Sequence, residues 1–180
     1  MHRVSRPSSR AGMSLIEVMV AVVVLTVSVY MLSSTITSAA SHRSLKREIA
    51  AAAEAAKQTI ETIRSQPFAQ VFALYDHAAS NDPGGPGTAP GPNFAVPGLK
   101  AWKTDADGMA GEIVLPSPGP ALYENGVQDD LGMPRDLNGD MKVDALDHAS
   151  DYVVLPVNVV IRWEGVAGPR TFQMATMLAY

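Results

Sequence analysis

The sequence predicts an α+β fold: a long N-terminal helix, its first half able to span a membrane and its second half amphipathic, packed on a small antiparallel β-sheet. Three observations predict it. Residues 13–66 contain neither Gly nor Pro, so nothing interrupts a helix of about 54 residues, roughly 80 Å long at about 1.5 Å per residue. Residues 18–40 carry no charge, whereas residues 41–66 mix charges with a periodic apolar stripe. Residues 152–163 and 171–178 then alternate in strand fashion around a Gly/Pro-containing turn at 164–170.

The chain has 180 residues, room for one domain and a long appendage. Its charge is uneven. Arg3, Arg6 and Arg10 precede the apolar run with no acid among them, and the remainder is distinctly acidic. An acidic body is a poor match to nucleic acid, which demands clustered Lys and Arg. The chain has no cysteine, which excludes disulfides, thiolate metal sites and Cys nucleophiles.

The apolar run at 18–40 is 23 residues long, enough to cross a bilayer. Arginines before it and an acidic body after it predict the short end inside. Glu17 stands at its start. As an ordinary signal peptide the run is too long, and residues 33–40 make a weak cleavage site. As a plain anchor it leaves Glu17 incidental near the membrane boundary. A cut between Gly12 and Met13 gives Glu17 a purpose. It becomes the fifth residue of the mature chain, at the positive end of a helix dipole. There it can pair with a neighbouring chain's terminal ammonium, which lowers the cost of burying both charges.

Gly12-Met13-Ser14-Leu15-Ile16-Glu17-Val18 resembles the prepilin signal of type IV pilins and type II secretion pseudopilins: a basic leader ending in Gly, an apolar first mature residue, then Ser/Thr-Leu-Ile-Glu and an apolar helix. The resemblance implies cleavage after Gly12 by a prepilin peptidase and N-methylation of Met13. It implies that Glu17 pairs with the terminal amine of an adjacent subunit. It also implies a precursor held in the inner membrane by one span, with a periplasmic C-terminal domain, that passes into a pilus or pseudopilus among other pilin subunits. Many pilins have helix breakers at positions that here are Thr26 and Ser34. The end of the chain resembles the C-terminal hairpin of V-type minor pilins and I-type pseudopilins.

The organisation expected is a leader at 1–12, an apolar assembly helix at 13–40, an amphipathic continuation at 41–75 and a β-rich head at 76–180. In the amphipathic part Leu45, Ile49, Ala52, Ala53, Ala56, Ile60 and Ile63 recur at spacings of three and four, forming one stripe for the sheet. Lys57 with Glu61, and Glu61 with Arg64, stand at pairing distance in sequence. Pro67 ends or kinks the helix, and residues 68–75 add a turn or two. Residues 80–98 hold five Gly and five Pro and read as an irregular or mobile loop. Residues 111–115 are a further strand. Pro156 predicts that the long strand is broken, bulged or at an edge.

Residues 136–147, DLNGDMKVDALD, place Asp136, Asn138, Asp140, Asp144 and Asp147 at positions 1, 3, 5, 9 and 12 of a twelve-residue loop, with the Lys142 carbonyl at position 7. Hard oxygen donors at that spacing suit Ca²⁺, and the stretch resembles the dockerin variant of the EF-hand loop. Met141 occupies position 6, where the EF-hand has Gly. The alternative is an Asx-rich surface turn. A bound Ca²⁺ would act as a structural staple in a domain without disulfides. No catalytic motif accompanies it: His42, His77 and His148 are dispersed and no GxSxG, HExxH or phosphate loop occurs. The expected function is therefore not enzymatic: a minor pilin or pseudopilin precursor. The alternative is a membrane-anchored, exported, Ca²⁺-dependent binding module outside any filament.

Overall fold

The structure, a computed structural model, describes residues 14–166 and 168–180. Helix α1 runs Leu15–Arg64, 50 residues, and passes without a break through Thr26 and Ser34. By its contacts the chain divides into two units, Met1–Arg43 and Ser44–Tyr180. In the first unit every described residue is exposed. Several of its hydroxyls are satisfied within the helix. Thr26, Ser28, Thr35 and Thr37 donate to the carbonyls of Val22, Val24, Met31 and Ser33, four residues back. Such back-bonding lets polar side chains sit in an apolar helix without an orphaned donor. The helix is long and apolar enough to cross a membrane.

In the second unit α1 buries Ala52, Ala56, Ile60 and Ile63, which lie on one face at spacings of three and four. The predicted stripe is corrected at its start, where Ile49 is 41 % exposed and the neighbouring Glu48 turns inward. The Lys57–Glu61 and Glu61–Arg64 pairs are not among the ion pairs of the described residues. Arg64 instead donates to the Thr176 hydroxyl at 2.9 Å. After the break at Pro67, α2 occupies Phe68–Tyr75.

Four antiparallel strands follow: β1 Asn93–Phe94, β2 Gly111–Val114, β3 Val154–Gly165 and β4 Gly168–Ala179, in that spatial order. An α+β fold with the amphipathic part of the long helix on a small antiparallel sheet is thus what forms. The β3–β4 hairpin closes at Gly165 and Gly168, tighter than the seven-residue turn expected from the sequence. β1 lies inside the Gly/Pro-rich stretch; two residues carry no alternation for a sequence to reveal. Its Phe94 ring covers Gly111, where a Cβ would collide with it.

Pro156 leaves β3 unbroken, in register with Met177. β2 ends at Val114 opposite Asn158, so Pro156 lies where β3 has only β4 beside it. A missing N–H is tolerated at such a local edge.

The core has two parts. Ala52, Ala56 and Ile60 meet Val159, Ile161 and Trp163 of β3. Ile63 and α2 meet Leu155 and Val157, together with Leu122, Leu131, Met133, Leu137 and Tyr152 from the long segment between β2 and β3. These apolar anchors hold down a segment whose regular structure is one 3-10 turn, Asp129–Leu131. Tyr152 adds a polar tie, its hydroxyl donating to the Phe68 carbonyl at 2.5 Å and accepting from the Phe72 N–H at 3.3 Å.

Candidate functional site

The acidic loop is fixed at both ends. Leu137 is fully buried, and its carbonyl accepts the N–H groups of Val153 and Val154 at 2.8 and 3.0 Å. At the other end Asp147 Oδ1 accepts from Leu122 N–H at 2.9 Å, and His148 N–H donates to the Leu122 carbonyl at 2.8 Å. Between them the side chains take up the loop's own backbone donors. Asp136 accepts from Gly139 and Met141, Asn138 from Asp140, Asp140 from Lys142 and Asp144 from Leu146, all between 2.6 and 3.0 Å. Met141 adopts φ +68°, the left-handed conformation that its place in the turn demands and that Gly would take at lower cost. Met141 itself is 93 % exposed.

Sequence reasoning missed the residues underneath. Glu124 is 1 % exposed, and its Oε1 accepts from Leu137 and Asn138 N–H at 2.5 and 3.1 Å. Its Oε2 lies 3.9 Å from His148 Nε2. His148, one of the dispersed histidines of the sequence, is buried. Its Nε2 faces Asp144 Oδ1 at 3.2 Å and its Nδ1 faces Asp151 Oδ1 at 3.1 Å. Burial pulls its pKa down, but the bonds to Asp144 and Asp151 and the charge of Glu124 outweigh that, so the pKa rises above the ordinary histidine value. Backbone donation from Leu146, then the His148 bond, holds the Asp144 carboxyl below its ordinary value. Glu124, Asp144 and His148 bring three ligating atoms within 4.8 Å of one another. Only Asp144 of that trio belongs to the predicted Ca²⁺ set of Asp136, Asn138, Asp140, Lys142, Asp144 and Asp147. A spacing rule could not have found it, because Glu124 joins from 20 residues upstream through the tertiary fold.

The second site is the helix start. Gly12 and Met13 lie outside the described residues. Ser14 is described, and its carbonyl accepts from Glu17 and Val18 N–H at 3.0 and 3.2 Å. Glu17 therefore sits in the first turn of α1, where a carboxylate complements the helix dipole. It is exposed, as are Leu15, Ile16, Val18, Met19 and Val20 around it.

Residues 7–29 match the family model for the prokaryotic N-terminal methylation motif. The chain carries a pilin-type methylation motif. This supports the type IV pilin and pseudopilin family, and the matched residues include Gly12, Met13 and Glu17. A motif of this type implies processing by a prepilin peptidase and assembly with other pilin subunits; proteins that carry it are structural subunits. Motif and apolar helix together fit membrane anchoring with an exported C-terminal domain. Searches of curated proteins and of solved structures gave no match.

Proposed function

We propose that the chain is a minor pilin or pseudopilin precursor, cut after Gly12 and N-methylated at Met13. It would serve as a structural subunit of a type IV pilus or a type II secretion pseudopilus. The observation that carries this reading is the methylation motif running directly into an apolar helical segment that buries nothing within its own chain. Apolar surface on that scale needs a partner, first the inner-membrane lipid and then the helices of other subunits. In that packed setting Glu17 meets the terminal amine of a neighbour. The short N-terminal end stays inside and the head lies in the periplasm, as the Arg3, Arg6 and Arg10 leader favours. The test is the intact mass and N-terminal sequence of the mature protein from cells containing the peptidase. A start at methylated Met13 is expected. An intact Met1, or a cut near Ala40, would overturn the reading in favour of an anchored or released binding module.

The acidic loop is, on the same proposal, a structural Ca²⁺ site of Asp136, Asn138, Asp140, the Lys142 carbonyl, Asp144 and Asp147. The donors fit: all are oxygens, and Met141 supplies at position 6 the left-handed turn that an EF-hand loop makes with Gly. Bound Ca²⁺ would neutralise carboxylates crowded into one turn and pin the loop ahead of the β3–β4 hairpin. Calorimetry on the full chain in detergent should find one Ca²⁺ site that is lost on replacing Asp136 and Asp140 by Ala. No heat and no melting shift would remove the calcium site and leave the subunit reading standing.

A further inference from the structure

At the base of the acidic loop is a second set of donors, different in kind from the all-oxygen set. Glu124, Asp144 and His148 each place one ligating atom within 4.8 Å of the others, with His148 Nε2 at 3.2 Å from Asp144 Oδ1 and 3.9 Å from Glu124 Oε2. Around a tetrahedral zinc ion with arms of about 2.0–2.2 Å, neighbouring ligand atoms stand about 3.3–3.6 Å apart. The Asp144 and Glu124 oxygens stand 3.2 and 3.9 Å from His148 Nε2, either side of those separations. The 3.9 Å gap is too long for a hydrogen bond, so the imidazole does not satisfy Glu124 directly.

Two features outside the trio's own spacing point the same way. Glu124 is almost wholly buried, and its Oε1 is held by two backbone N–H groups. The carboxylate cannot swing into water, and Oε2 is left with one long contact, 3.4 Å from Asp144 N. A buried carboxylate oxygen with contacts this long favours a positive charge beside it, which a bound cation would supply at closer range than the imidazole 3.9 Å away. The other feature is Asp151, which meets His148 Nδ1 at 3.1 Å. A carboxylate on Nδ1 fixes the ring with Nε2 facing Glu124 and Asp144, the outer-shell arrangement that orients metal-binding histidines.

We propose that Glu124, Asp144 and His148 form a binding site for a Zn²⁺-class ion, with Asp151 as its positioning residue. One imidazole and two carboxylates suit Zn²⁺; Ca²⁺ takes oxygen donors alone. Three protein ligands leave a fourth position for water or for a donor from another chain. The ion would tie the segment before the loop, at Glu124, to the end of the loop at Asp144 and His148. The site does not rest on the filament reading, and it shares one residue, Asp144, with the proposed Ca²⁺ loop.

The experiment uses the full chain in detergent micelles, stripped with chelator and titrated with Zn²⁺ alone, Ca²⁺ alone, or Co²⁺ as a spectroscopic stand-in. Zn²⁺ should raise the melting temperature, and Co²⁺ should give the visible absorption of a tetrahedral N/O site. His148→Gln should abolish both. Asp151→Asn, at an exposed position that leaves folding intact, should weaken Zn²⁺ binding about 10–100-fold. The paired Asp136→Ala, Asp140→Ala variant should bind Zn²⁺ as before while losing Ca²⁺. The proposal is overturned if Zn²⁺ leaves the wild-type melt and the Co²⁺ spectrum unchanged, or if His148→Gln and Asp151→Asn bind Zn²⁺ as tightly as wild type. A purely ionic role for His148 between its carboxylates gives the first of these results. Zn²⁺ binding lost with Asp136 and Asp140, and not with His148, would place any ion in the loop and equally overturn it.

Discussion

Residues 15–43 and 44–64 are consecutive stretches of one helix that meet opposite fates. The first is predominantly apolar, uncharged over residues 18–40, and buries nothing in the chain, while the second alternates charge with Ala and Ile and buries Ala52, Ala56, Ile60 and Ile63. Their glutamates differ in the same way. Glu17 is exposed in the first turn. Glu48 lies against the sheet, where its Oε2 accepts from the Trp163 indole N–H at 3.1 Å and occupies the space that a Cβ on Gly165 would need. Helix propensity is common to both stretches; what differs is whether the partner for each face belongs to the same chain. An amphipathic stripe finds its partner during folding. A stretch apolar around its whole circumference finds one only in lipid or in another subunit.

The largest test of this contrast is the same truncation made twice. Ile60→Ala should lower the stability of the folded head by about 2–5 kcal/mol, because Ile60 is 6 % exposed and its loss leaves a cavity. Ile36→Ala, at 63 % exposure, should leave head stability within about 0.5 kcal/mol. Chemical denaturation followed by tryptophan fluorescence measures both, and equal costs would break the comparison. The glutamates give the next effect. Glu48→Ala should cost about 1–2 kcal/mol by stripping the Trp163 indole of its acceptor. Glu17→Ala should leave the same denaturation curve unchanged and act on filament incorporation alone.

A smaller effect, of opposite sign, comes from backbone strain in the head. Met141→Gly should stabilise the chain by about 1 kcal/mol, since Gly takes the φ of +68° without a Cβ penalty. A loss of stability would mean that the side chain itself contributes.

The smallest is a pH effect, and it too belongs to the head. Burial is the main cause that lifts the Asp76 carboxyl above its ordinary pKa. The Asn81 and Ala78 bonds work against it, Asp82 adds to it and His77 opposes it. The folded state then binds this proton more tightly than the unfolded chain does. Asp76 therefore favours folding at low pH, and stability falls as pH climbs from the unfolded value, about 4, through the raised folded one. Asp76→Asn removes that share of the fall, so the variant should gain on wild type as melts are taken from about pH 3.5 upward. A constant difference across the range would show that Asp76 titrates normally.

Much of the fold was legible because its signals are local. Helix length follows from the absence of Gly and Pro over residues 13–66, and the break from Pro67. The β3–β4 hairpin follows from alternation around Gly165 and Gly168. Less legible were the features that depend on neighbours. The inward turn of Glu48 needs Trp163, 115 residues away. β1 exists because Gly111 leaves room for the Phe94 ring. Pro156 is tolerated because β2 stops short of it.

The sequence by itself determined the processing motif, the long helix with its change of character near residue 40, and the strands of the final hairpin. These depend on periodicity, charge and residue type over a few turns of chain, and those act whatever the rest of the molecule does. Only the tertiary structure decided that Glu124 converges on His148. That convergence requires Leu122, Leu131, Met133 and Leu137 to be drawn into one core with β3, carrying an otherwise irregular segment with them. Burial free energy acts over the whole fold and does not depend on sequence spacing, so no spacing rule along the chain could anticipate where it would set a carboxylate beside an imidazole.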